Sequence, residues 1–191
     1  MTERRALWIA LVLNAALAVV ELVAAWITRS VALAADAIDF VEDSALYALI
    51  LVMNAKAQAV EARLGRVIAS LMALPGIVAL VQVVRQLASG APPPGLVVSG
   101  VALLALAANL VTAAVILAAR RRAGEAVGLG LRAAWLSSRN DALANVAMIV
   151  AGLMVLATGS GWPDIVTGLG VAALHLSGAA AIWGAAGRAA T

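Results

Sequence analysis

The chain contains no cysteine, which excludes disulfides, thiolate metal sites and thiol redox chemistry. Its single histidine, His175, rules out a multi-histidine site within one chain. One tyrosine and one phenylalanine leave few aromatic faces, which argues against a cage for an organic cation. Charge is scarce as well: charged residues make up 12% of the 191 positions and hydrophobic ones 64%, unlike a soluble domain. The net charge of +3 comes mostly from arginines at the ends of apolar runs, so it reports membrane topology and no nucleic-acid partner is expected. Neither an enzymatic reaction nor a prosthetic group is expected.

What is present is a succession of apolar runs. Six are long enough to cross about 30 Å of hydrocarbon at about 1.5 Å per residue: Ala6–Ile27, Val31–Met53, Val67–Ala88, Leu96–Ala119, Ala133–Ala157 and Ile165–Gly187. Arg29-Ser30 separates the first pair, and the tract Asn54–Arg66 reads as a polar connection. Ala91-Pro92-Pro93-Pro94-Gly95 reads as a turn, because consecutive prolines remove backbone donors. Arg120-Arg121-Arg122 closes the fourth run, Thr158–Gly161 ends the fifth, and Pro163 is tolerated in the first turn of the sixth. The expectation is an all-α membrane protein, a single domain of six transmembrane helices over residues 1–191. The first run is too long for a signal peptide and leads straight into the second.

Basic residues set the orientation. Arg4, Arg5, Lys56, Arg63, Arg66, Arg120, Arg121, Arg122, Arg132 and Arg188 fall on the side of the termini, against Arg29 and Arg85 on the other. This bias places both termini in the cytoplasm.

Carboxylates interrupt the second run. Asp36, Asp39, Glu42 and Asp43 lie within it, although a carboxylate at mid-membrane costs roughly 2.5–3.5 kcal/mol on insertion scales. Asp36, Asp39 and Asp43 share one helical face, with Glu42 turned about 100° from Asp43. The fifth run carries a second polar cluster in which Ser137, Asp141 and Asn145 recur every four residues. Asp43 and Asp141 both lie about one third to one half of the way across, so the two faces can meet at one depth. Asp39, Asp43, Asp141 and Ser137 then offer four oxygen ligands from two helices, and their charge suits a divalent ion.

Other polar positions have blander readings. Asp36 and Asp164 stand near the outer boundary, as solvated helix-end groups or as steps in an ion path. Glu21 borders the cavity, and Asn14, Asn109 and Asn145 serve as ligands or as interhelical hydrogen-bonding groups. Arg139 sits two residues before Asp141, about 200° around the helix, and is expected to pair with Glu42 or to reach the headgroups. His175 reads as a packing residue, and Trp8, Trp26, Trp162 and Trp183 as interface anchors. Pro75 is expected to kink the third span.

The segment Ser30–Asp43 and the segment Leu136–Val146 resemble the second and fifth spans of the cation diffusion facilitator family, each of which carries a His/Asp-xxx-Asp pair. Asn14, Glu21 and Gly161-Trp162-Pro163-Asp164 also fit, so the resemblance covers all six spans. It implies export of zinc or a related divalent metal in exchange for protons, by a homodimer joined through its transmembrane helices. Two departures stand out. Ser137 occupies a position that the family fills with His or Asp, which leans the site towards harder ions such as Mn²⁺ or Fe²⁺. The chain also reaches Thr191 without the family's cytosolic metal-binding domain.

The expected mechanism is alternating access, with metal and protons competing for the carboxylates in the lipid bilayer of a bacterial inner membrane. The rival readings are an organic-cation transporter and a non-transporting membrane remnant that binds a partner.

Overall fold

Each of the six apolar segments is helical in the computed structural model, which describes residues 1–28, 31–52, 58–89, 95–124 and 127–188. The helices are α1 (Glu3–Thr28), α2 (Val31–Val52), α3 (Gln58–Met72), α4 (Leu74–Ser89), α5 (Gly95–Ala123), α6 (Leu129–Thr158) and α7 (Trp162–Arg188). The expected breaks at Arg29-Ser30 and at Ala91–Pro94 lie outside the described residues.

The third segment is interrupted where Pro75 is expected to kink it, and it starts earlier than expected. It is divided at Ala73, where Pro75 has no N–H to offer the carbonyl four residues back. Ala73 N–H instead reaches Ser70 O at 3.3 Å, a tighter three-residue turn, and the ladder resumes with Ile77 N–H on Ala73 O at 3.1 Å. Helix also begins at Gln58, nine positions before the expected Val67. The part of the polar tract from Gln58 onward is therefore an amphipathic first stretch and no loop. Gly65, Ile68, Ala69 and Met72 turn inward while Arg63, Arg66 and Ser70 face out, the three-and-four spacing of a one-sided helix.

The α6–α7 corner is built locally. Gly159 adopts φ +65°, a left-handed conformation free of steric cost for glycine, and its N–H closes on Val155 O. The Ser160 hydroxyl then accepts the Trp162 N–H at 3.3 Å, opening α7 with Pro163 inside its first turn.

In the bundle, α1 packs on α2 and α5, α5 on α6, α6 on α7, and α7 on both α3 and α4. The polarity is inverted relative to a soluble protein. Val19, Val84, Leu103, Leu153 and Val166 are exposed, while Asn14, Glu21, Asp43, Asn140, Asp141 and His175 are buried. Five long apolar stretches, Glu3–Val23, Arg63–Ala88, Gly100–Ala123, Leu129–Thr158 and Trp162–Arg188, have only 28–33% of their most apolar windows buried within the chain. That much outward apolar surface has to be covered by lipid, and the molecule is a helical membrane bundle.

The main apolar core sits at the end of the bundle that carries the N-terminus. Leu7, Leu46, Ile50, Ile68, Ile116 and Ile182 meet there, with Ala6, Ala10, Ala133 and Ala186 letting the helices approach closely. A smaller cluster of Ala18, Phe40 and Ala105 lies further along. The buried polar groups occupy the middle.

Candidate metal-ion site

Spacing on two helices assembles the centre. On α2, Asp39, Asp43 and Tyr47 follow one another every four residues. On α6, Ser137, Asp141 and Asn145 do the same. Asp43 and Asp141 are each 3% exposed, and Ser137 and Asn145 each 4%.

The Ser137 hydroxyl donates to Asp43 Oδ1 at 2.7 Å, so residues 94 positions apart are joined across the α2–α6 interface. The Tyr47 hydroxyl donates to Asp43 Oδ2 at 3.2 Å and lies 2.9 Å from Ser138 Oγ. Asp43 thus has a hydroxyl donor on each carboxylate oxygen. Asp141 is held differently: its Oδ1 lies 3.7 Å from His175 Nε2 on α7, and its Oδ2 has no hydrogen-bond partner although it is buried. Half-buried Asp39 and buried Glu42 stand within electrostatic range of Asp141, as does Asp43. Among the described residues, no three His, Asp or Glu side chains converge on one point as a ready-made metal cage.

Several expectations change at this level. Arg139 does not pair with Glu42. Its guanidinium donates to Asn140 Oδ1 at 3.0 Å on an exposed position, and Glu42 Oε1 is buried without a hydrogen-bond partner. The rotation of Arg139 away from Asp141 puts it on the outer face of α6, out of reach of the cluster. Asn14 donates to Ala10 O at 2.8 Å and to Thr112 Oγ1 at 3.3 Å, an α1–α5 contact with no part in the α2–α6 pair. Asp164 interacts with Gln86, whose amide also donates to Gly161 O at 3.1 Å, so it serves the α4–α7 end of the bundle. Glu21 is buried on α1, 2% exposed. The side chains of Asp36 and Trp26 lie outside the described residues, whereas Trp8, Trp162 and Trp183 are about half-exposed as belt residues should be.

Three contributors escaped the sequence reading. Tyr47 is signalled by its four-residue offset from Asp43, and Ser138 by nothing beyond its adjacency to Ser137. His175 has no local signal, because only the packing of α7 on α6 brings it to Asp141.

Residues 7–183, nearly the whole chain, match the family model of the cation efflux transmembrane domain. A search of curated proteins finds no relative that matches.

Proposed function

Because the chain belongs to the cation efflux family of membrane transporters, we propose that it exports a divalent transition-metal cation in exchange for protons, using Asp43 and Asp141 as the principal ligands. The observation that carries this reading is that the two aspartates meet in the bundle interior, each 3% exposed, with Asp141 Oδ2 lacking any hydrogen-bond partner. A buried carboxylate oxygen without a donor costs free energy that a bound cation recovers. Arg139 faces outward, and among the described residues no lysine or arginine pairs with Asp43 or Asp141, which disfavours a purely structural ion-pair role.

Asp39 and Glu42 add negative potential around the pair and attract a dication in preference to a monovalent ion. Ser137 and Tyr47 orient Asp43 by hydrogen bonds, in the way outer-shell groups fix a ligating carboxylate. Metal and protons compete for the same oxygens, so release of one accompanies capture of the other. The apolar cluster of Leu46, Ile50, Ile68, Ile116 and Ile182 packs at the N-terminal end of the bundle, beside the polar centre. Transport by alternating access then requires rocking of the helices to part this layer.

Purified protein in proteoliposomes, challenged with a panel of divalent ions under an imposed proton gradient, tests the proposal. Uptake of at least one transition metal is expected, collapsing in Asp43→Ala and Asp141→Ala while both variants stay in the membrane. Normal transport by Asp141→Ala would place the site elsewhere.

A further inference from the structure

We infer that His175 supplies a nitrogen ligand to the transported ion beside Asp141, and that binding draws these two and Asp43, which do not yet form a three-residue cage, into a mixed nitrogen–oxygen site contributed by three helices. The inference rests on the function proposed above and assigns to that site a residue from α7.

The placement of His175 is built into the fold. The Asn140 amide donates to Leu174 O at 3.2 Å, pinning α6 to α7 one residue before the histidine. Two glycines allow the close approach. A Cβ on Gly178 would stand 2.8 Å from Asn140 Nδ2, and one on Gly76 of α4 would stand 3.1 Å from Ala172 O and 3.3 Å from His175 Cβ. Contacts on both flanks thus fix the α7 backbone around a histidine that is itself 4% exposed.

The spacing suits ligation better than a hydrogen bond. Nitrogen and oxygen ligands at tetrahedral angles on one zinc-sized ion stand about 3.4 Å apart. His175 Nε2 and Asp141 Oδ1 are 3.7 Å apart, beyond a good hydrogen bond and a few tenths of an ångström wider than a shared ion requires. Asp141 Oδ2 is buried and unpartnered beside them. Ser137 has meanwhile committed its hydroxyl hydrogen to Asp43 Oδ1, so it acts through that carboxylate. The nitrogen donor changes the ion the site prefers. Imidazole suits Zn²⁺, Co²⁺ and Ni²⁺, whereas a site of oxygens alone suits Mn²⁺ and Mg²⁺.

Because His175 is the chain's only histidine, X-ray absorption on zinc-loaded protein, freed of any affinity tag, reads the ligand directly. The expected spectrum contains the scattering signature of one imidazole, absent from His175→Gln. The same substitution should weaken Zn²⁺ binding at least as much as loss of an outer-shell partner does, about 10–100-fold, while leaving Mn²⁺ binding nearly unchanged. Zinc bound in an all-oxygen shell would overturn the inference and leave the proposed function standing. Equal weakening for both metals would also overturn it, by showing a structural role. If wild-type protein binds none of Zn²⁺, Co²⁺ and Mn²⁺, the proposed function fails and the inference fails with it.

Discussion

The Tyr47 hydroxyl lies 2.9 Å from Ser138 Oγ and 3.2 Å from Asp43 Oδ2, so one phenol joins α2 to α6 beside the buried carboxylate. A phenol has a single hydrogen to give. Ser138 donates its own to Ala134 O at 2.9 Å, which leaves Ser138 Oγ an acceptor that competes with Asp43 for the Tyr47 hydrogen. Under the proposed function, an ion on Asp43 would leave the phenol free to turn to Ser138 without losing a bond.

Tyr47→Phe keeps the fully buried ring and removes this donor, so Asp43 Oδ2 loses its partner while Ser138 keeps Ala134. The expected outcome is a stability loss of about 1 kcal/mol, read by thermal unfolding in detergent, with transport reduced but present. Complete loss of transport with unchanged unfolding would make the phenol a direct participant.

Helix packing offers a second check. Gly178→Ala places a methyl group 2.8 Å from the Asn140 amide that ties α6 to α7. Overpacking of this kind costs typically about 1–3 kcal/mol, so the melting temperature should fall. Gly100→Ala on α5, with nothing within 4 Å of its added Cβ, should melt as the wild type does. Equal behaviour of the two variants would mean that α7 does not press on α6 as described.

The contrast between α2 and α7 shows what the sequence could convey. On α2 and α6, four-residue spacing makes Asp39-Asp43 and Ser137-Asp141 legible, since period alone assigns each set to one face. Equal depth of Asp43 and Asp141 then suggests that the two faces meet, and Ser137, one turn before Asp141, bonds Asp43 at 2.7 Å. On α7, His175 is one polar group among small and apolar residues, and no periodicity says which neighbour it faces. That depends on α7 packing against α3, α4 and α6 at once, a tertiary fact. The early start of α3 was hidden for another reason. A hydropathy window averages over both faces of Gln58–Arg66, whereas the helix separates Arg63 and Arg66 from Gly65 and Ile68. Glu42 and Arg139 failed as a pair because Arg139 found a partner in Asn140, the next residue.

Topology is open to a clean labelling experiment, since the chain has no cysteine of its own. Thr2 precedes α1 and Ser160 lies between α6 and α7. With the basic residues gathered on the side of the termini, single cysteines at these two positions should react with an impermeant maleimide from opposite sides of the membrane. Reaction from the same side would remove one crossing and invalidate the six-span arrangement.

Ser137 distinguishes a ligand from a residue that positions one. Its hydroxyl donates to Asp43 Oδ1 at 2.7 Å and is 4% exposed, so Ser137→Ala strips one donor from the carboxylate and leaves the carboxylate in place. If the hydroxyl acts by orienting Asp43, metal affinity should fall by about 10–100-fold, as it does when outer-shell partners are lost, and transport should persist at higher metal concentration. If the hydroxyl binds the ion itself, Ser137→Ala should approach Asp43→Ala in severity. Titrating uptake rate against metal concentration for the two variants side by side decides between them, because a positioning defect is overcome by saturation and the loss of a charged ligand is not. The donated hydrogen bond favours the first outcome.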